Sequence, residues 1–267
     1  MTNTDFGQFH RIEQMIGQEA LKRLQNSFIV IAGLGAVGSF AAETLARAGI
    51  GRFLLIDCDI IKPSNINRQL FATWDTVGQT KTDAAEKRLL SINPNCCIEK
   101  RNLLLNSVSM PHLFQTFQAQ NDSPDFLIDA IDSLGPKVEL IVAALASQIP
   151  MISSMGAALK INPALIQTGR LTDVSYCPLA AILRKHLRRR GVCTDDVFAV
   201  FSTEAVREKH QDKIISKEFS EDEKPSQGRR RNTLGSLPTI TGMFGLHIAH
   251  YAMTYLMNEK SQTRRNR

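Results

Sequence analysis

The chain has 267 residues, 43% of them hydrophobic and 22% charged, with a formal net charge of +6. That is ordinary for a globular chain with a sizeable core, and its basic excess admits a polyanionic partner without demanding one. Five cysteines, none in a C-x-x-C pair, exclude a disulfide framework and point to a reducing, cytoplasmic setting; Met1 to His10 carries no apolar stretch of the secretory type.

Residues 8–25 read as a helix, with Phe9, Ile12, Met15, Ile16, Ala20, Leu21 and Leu24 on one stripe, Gly17 as a break point and Arg11 on the polar side. Phe28 to Ala32 is a short apolar run bounded by Gly33, and a helical stripe of Phe40, Ala41, Leu45 and Ala48 follows. Gly33, Gly35 and Gly38 stand between them as G-x-G-x-x-G: one glycine for a tight turn, one for approach of backbone N–H groups to a phosphate, one for close helix–strand packing. A second apolar run, Phe53 to Ile56, ends in Asp57, nineteen residues after Gly38, where an acid usually holds a ribose. Strand, glycines, helix, strand and acid in this order predict nucleotide binding.

The polar segment Ser64 to Leu70 lies just past a strand's carboxyl end, where such sheets present ligand loops; Asn65 and Asn67 suit either a ligand or a helix cap. Lys81 falls in the first turn of the next helix, whose buried stripe is Ala84, Ala85, Leu89 and Ile92. A cation there opposes the helix dipole unless an anion sits between them, which makes Lys81 a phosphate candidate. Residues 96–100 form a weak strand and 107–118 a short helix. Phe126 to Asp132 is a third apolar run ending in acids. Asp129 and Asp132 suit either the N-cap of the helix at 136–147, a task open to Ser133 as well, or a carboxylate for Mg²⁺ or nucleotide. Strands at 149–156 and 164–171 follow. The alternation up to residue 155 predicts an α/β fold with a Rossmann-like, doubly wound, mainly parallel sheet, to which the C-terminal half adds strands and helices.

Beyond this, 179–190 is a basic amphipathic helix carrying Arg184, Lys185, His186, Arg188, Arg189 and Arg190, ordinarily a solvated face. Residues 197–201 form a strand. Residues 207–232 read as a polar crossover loop ending in Arg229 to Arg231, and 237–257 as a packing helix rather than a bilayer span. His247 and His250 lack partners at zinc-site spacing.

The segments Gly33 to Ser39, Leu55 to Asp59, Ser64 to Gln69, Val77 to Lys81 and Ile131 to Ser133, in this order, resemble the ubiquitin-activating-enzyme-like adenylating family. The match covers about 8–160, a nucleotide-binding core within a single adenylating domain over 1–267 whose C-terminal half is 161–267. Phe9-His10-Arg11, Ile16 to Leu21, Ser153 to Ala158, Pro178 to Ala180 and Val200 to Glu204 resemble its tRNA threonylcarbamoyladenosine dehydratase branch. The sulfur-carrier activators of the family usually carry two C-x-x-C pairs, which this chain lacks.

The resemblance implies ATP and Mg²⁺ as cofactors and a tRNA bearing N6-threonylcarbamoyladenosine as substrate, its threonine carboxylate activated and then cyclised with loss of water. It implies Gly33, Gly35 and Gly38 against the nucleotide and Asp57 on the ribose. Asn65, Arg68 and Lys81 fall on phosphates, with Asp59, Gln69 and Ser133 in the same set. Asp132 falls at Mg²⁺ or the adenylation centre, and Arg11 reaches into the partner subunit of a homodimer. Arg11, Arg68, Lys81 and Asp132 are the catalytic candidates. The alternatives are an adenylyltransferase for a ubiquitin-like or sulfur-carrier protein, a non-catalytic ATP sensor, and a nicotinamide oxidoreductase, which leaves Asn65, Arg68 and Lys81 without a task. Some members carry a cysteine before the last helix; here Arg230 to Gly235 has none, which leaves thioester or persulfide chemistry there without a residue.

Overall fold

The computed structural model describes residues 7–205 and 234–258. The crossover 207–232, with Arg229 to Arg231, lies outside them. Among the described residues the strands are β1 (Phe28–Ala32), β2 (Arg52–Ile56), β3 (Cys97–Arg101), β4 (Phe126–Asp129), β5 (Met151–Ser154), β6 (Ile166–Arg170) and β7 (Phe198–Ser202). They form one sheet in the order β3-β2-β1-β4-β5-β7-β6. Neighbours are parallel except β6 and β7, which pair antiparallel. The strand order reverses between β1 and β4, so the loops leaving their carboxyl ends diverge and open a crevice.

The central strand is buried along all five residues, as an apolar run covered on both faces must be. Its period-2 alternation sends Ile29 and Ile31 into one layer and Phe28, Val30 and Ala32 into the other. The first layer holds α3 (Gly38–Arg47), α4 (Lys81–Ile92) and α8 (Pro238–Met257), through residues such as Leu45, Leu89 and Phe244. The second holds α5 (Ser109–Ala119), α6 (Leu134–Ala146) and α7 (Pro178–Arg189), through Phe117, Ile141 and Leu183.

The N-terminal helix differs from its periodicity. Gly17, at φ 82°, divides it into α1 (His10–Ile16) and α2 (Gln18–Gln25). Ala20, Leu21 and Leu24 of α2 are buried, whereas α1 buries nothing and Met15 is 85% exposed. Of the α1 stripe, Ile16 is half-buried against the core that holds Leu24, while Met15 turns to solvent. At the other end α8 crosses α3 closely: a Cβ on Gly245 would stand 2.6 Å from the Val37 carbonyl oxygen and 2.7 Å from Phe40 Cβ. Among the described residues no helix is long and apolar enough to cross a membrane.

Candidate nucleotide-binding site

The glycines of the β1–α3 turn have separate tasks. Gly33 has φ 94°, and a Cβ there would lie 2.7 Å from the Ala130 carbonyl oxygen; a Cβ on Gly38 would lie 1.8 Å from that of Gly33. Both are required for the chain to pack on itself. A Cβ on Gly35 would meet only Gln69 Nε2, at 3.9 Å, so this glycine faces open space. Gly38→Ala is expected to cost roughly 3 kcal/mol in a denaturant melt. Gly35→Ala is expected to fold normally and to weaken ATP binding at least tenfold in a calorimetric titration, roughly 1.4 kcal/mol.

Asp57 is tied to this turn. One carboxylate oxygen accepts the Leu34 N–H at 2.7 Å and the other the Asp59 N–H at 2.9 Å. Burial pushes its carboxyl above the ordinary range, against the opposing pull of Lys81 and the two N–H groups. Lys81 is the first residue of α4, whose N-cap Thr80 accepts the Asp83 N–H at 3.1 Å. The Lys81 ammonium lies 2.7 Å from Asp59 Oδ2 and 3.7 Å from Asp57 Oδ1. Burial alone would lower its pKa, but Asp57, Asp59 and the more remote Asp132 outweigh it, and the net shift is upward. A lysine ammonium is thus buried at a helix N-terminus, where the dipole disfavours it and the Asp57 and Asp59 carboxylates hold it.

Between the two acids, Cys58 is raised from 9.0 to about 11, chiefly by burial and then by Asp59 and Asp57. Near neutral pH its thiolate fraction is roughly 100-fold below that of an ordinary thiol. Alkylation at pH 8, mapped by mass spectrometry, is expected to label the exposed Cys97 and Cys193 well before Cys58.

The sequence candidates converge. Gly33, Gly35, Asp57, Asp59, Asn65, Arg68, Gln69, Lys81, Asp132 and Ser133 all line one cavity of about 560 Å³, within the range of small-ligand sites. Asn65 Oδ1 accepts the Lys62 N–H at 3.0 Å, so it closes its own turn as well as facing the cavity. Arg68 Nη1 donates to the Ser64 carbonyl at 2.8 Å and to Asn67 Oδ1 at 3.1 Å, which aims the guanidinium along the loop. Gly38 stands behind the wall, and the exposed Arg11 does not line the cavity of its own chain.

Asp129 takes neither role considered for it. It is fully buried and meets Lys137, also fully buried, at 2.6 Å. The Lys137 ammonium further donates to Ser153 Oγ at 3.1 Å and to the Ser154 carbonyl at 3.0 Å, while Ser153 Oγ donates to Asp129 at 2.6 Å. The other Asp129 oxygen accepts the Ile131 N–H at 3.1 Å. This satisfied network joins the ends of β4 and β5 beneath the loop that carries Asp132. Sequence reasoning missed Lys137. Its signal was a lysine on the apolar stripe of α6, four and seven residues before the buried Ile141 and Ala144. Also missed was the apolar wall of Leu103 to Leu105, Met155 to Ala158 and Leu179, contributed by segments far apart in the chain.

Comparison with known proteins identifies relatives of the whole fold. A sequence profile described as the ThiF family matches residues 9–267. The tRNA threonylcarbamoyladenosine dehydratase of Bacillus subtilis is 38% identical over 244 residues, 90% of this chain and 92% of that protein. The crystal structure of the Escherichia coli tRNA N6-threonylcarbamoyladenosine dehydratase in complex with ATP superposes with a TM-score of 0.81 at 30% identity, covering 98% of each chain. An adenylyltransferase and sulfurtransferase of Drosophila willistoni is 33% identical over 178 residues, 66% of this chain and 36% of its own length.

Proposed function

The chain belongs to the ThiF family, and from that premise we propose that it is an ATP-dependent tRNA-modifying dehydratase. It activates the threonine carboxylate of N6-threonylcarbamoyladenosine as an acyl-adenylate, releasing pyrophosphate. The carbamoyl group of the same side chain then attacks the activated carbonyl, AMP leaves with the carboxylate oxygen, and a ring closes with net loss of water. Because both partners sit on one nucleoside, effective concentration is high and no enzymic nucleophile is needed.

The difficulty lies in the first step, which brings a carboxylate to an α-phosphate, anion to anion. The observation that carries the reading is Lys81, a buried cation at the N-terminus of α4 that lines the same cavity as the open face of Gly35. Asp57 accepts the ribose hydroxyls, Lys81 and Arg68 neutralise phosphate oxygens, and Asn65, Gln69 and Ser133 offer polar contacts. Asp132 is the carboxylate that would hold a Mg²⁺ ion, which would supply further positive charge to the triphosphate. The nearby Asp57–Cys58–Asp59 cluster, whose candidate ligand atoms lie within 4.8 Å, suits Mg²⁺ poorly because it includes a thiol and already holds the Lys81 ammonium.

The exposure of Arg11 on α1 fits an arginine supplied to a partner subunit in a homodimer. All of 1–267 is read as one adenylating unit, supported by β7, which inserts between β5 and β6, and by Leu179, Leu234 and Thr241, which reach the cavity. A tRNA substrate and five free cysteines fit a cytoplasmic setting. Activation of a carrier protein is the second reading, favoured by a likeness to the Drosophila protein that spans 66% of the chain.

The test is to incubate the protein with ATP, Mg²⁺ and tRNA carrying the threonylcarbamoyl group, digest the tRNA and weigh the nucleosides. Loss of one water from the modified nucleoside, with AMP formed in equal amount, is expected. An unchanged nucleoside alongside adenylate formed on a carrier protein would overturn the reading in favour of the second.

A further inference from the structure

Helix α7 both lines the cavity and leaves it. Leu179, in its first turn, is a cavity residue, and the helix then runs outward to Arg189. Its cations are not equivalent. Arg184 is structural: its Nη1 donates to the Leu171 carbonyl at 3.0 Å and the Val174 carbonyl at 2.8 Å. Arg190 is neutralised by Glu139 at 2.5 Å. Lys185, Arg188 and Arg189 are exposed and have no partner among the described residues. At spacings of three and four they share one face, continued toward the cavity by Ile182, itself 47% exposed. Of the acids on the segments packed against α7, Asp173 accepts the Arg170 N–H at 3.0 Å and Asp195 the Thr172 hydroxyl at 2.5 Å, and the exposed Asp196 stands beside Asp195 on the same segment.

A second feature marks the inner end of this strip. Tyr176, just before the helix, is 62% exposed and holds a left-handed backbone at φ 51°, uncommon for a residue of its size. It is clamped there from both sides. Its carbonyl accepts the buried Lys160 ammonium at 3.2 Å, and the next residue, Cys177, packs its sulfur 3.5 Å from where a Cβ of the cavity residue Gly156 would stand. An exposed aromatic ring therefore precedes the helix by two residues, and three cations without a partner among the described residues share one face of it. From residue 179 to 189 the helix rises about 15 Å, on the order of four stacked nucleotides.

We propose that this face of Tyr176, Ile182, Lys185, Arg188 and Arg189 is the docking surface for the anticodon arm of the substrate tRNA. The three cations carry the backbone phosphates of nucleotides flanking the target adenosine, and the tyrosine ring stacks on an unpaired neighbouring base. The inference rests on the reading of the cavity as a tRNA-modifying site.

The test measures tRNA binding by fluorescence anisotropy across a salt series, with ATP binding and dehydration followed in the same samples. The variant Lys185→Ala/Arg188→Ala/Arg189→Ala is expected to lose at least tenfold in tRNA affinity. Its log Kd against log salt slope should fall by about two, as loss of three phosphate contacts on a single strand predicts. ATP affinity and mass in solution should be unchanged. Tyr176→Ala should weaken binding, whereas Tyr176→Phe, which keeps the ring, should not. Wild-type affinity and salt slope in the triple variant, or a changed assembly mass at unchanged tRNA affinity, would overturn the proposal; unaltered binding by Tyr176→Ala would remove the ring from it. If wild-type protein binds tRNA through these residues but never dehydrates it, the functional reading fails and the surface stands.

Discussion

Replacing Lys81 by alanine is expected to lower kcat/KM for dehydration by about 10³-fold, the usual scale for removing one preorganised charge from a site where anionic charge accumulates. The other cations of the cavity stand on a different segment, Lys62 and Arg68 on the loop after β2, with Arg68 anchored there by the Ser64 carbonyl, and α4 contributes none besides Lys81. The fold should survive, at a cost of roughly 1–3 kcal/mol, because the Asp57 carboxylate is left nearly buried without its cation. The Leu34 and Asp59 N–H groups still hold it.

That residual cost has a pH signature. Asp57 already has a raised pKa, and loss of Lys81, which pulls it down, raises it further. A carboxyl whose folded pKa exceeds its unfolded value favours the folded state at low pH and loses that advantage as pH rises through the folded pKa. The variant should therefore lie closest to wild type in stability under acidic conditions and furthest from it near neutrality. Denaturant melts from acidic to neutral pH, beside a turnover assay, check both halves; unchanged turnover would remove Lys81 from the proposed site, and a pH-independent deficit would contradict the Asp57 argument.

The second large effect is on stability. Lys137→Ala should cost about 3–5 kcal/mol, because it removes one member of a fully buried pair and leaves the Asp129 carboxylate without a cation. For a chain of this size that corresponds to a Tm lower by roughly 10 °C. The double variant Lys137→Met/Asp129→Leu should recover a substantial part of the loss, since neither charge then remains buried; Ser153, which loses two partners, limits the recovery. Differential scanning calorimetry of the two variants separates these outcomes. A loss below about 1 kcal/mol for the single variant would mean that water reaches the pair. Because Asp129 also holds the Ile131 N–H one residue before Asp132, surviving Lys137→Ala protein should show a raised KM for ATP.

Much of the nucleotide end was legible because it is contiguous. A β-turn-α unit places three glycines and an acid at separations dictated by one strand, one turn and one helix, so Gly33, Gly35, Gly38 and Asp57 could be assigned separate tasks from spacing. Lys81 was legible for a different reason: a lysine in a first helical turn is electrostatically misplaced and calls for an anion. That the anions closest to it are Asp57 and Asp59 was not legible, because α4 and β2 meet only in the folded chain.

Asp129 marks the boundary. Its position after an apolar run suited a helix cap or a ligand. Its actual partner is a lysine eight residues later, turned inward by α6 and shared with Ser153 of a strand that is its neighbour only in the sheet. Local periodicity locates secondary structure and the residues that turns demand, since these depend on backbone geometry over a few residues. It therefore determined the α/β class, the strands, the glycine turn and the acid that follows it at the cavity. Which faces are covered depends on packing between distant segments. Tertiary structure alone decided that α1 buries no residue fully while α2 buries Ala20, Leu21 and Leu24, and that β7 enters the sheet between β5 and β6. The same packing chose which buried charges neutralise one another and drew the cavity wall from Leu103, Met155 and Leu179.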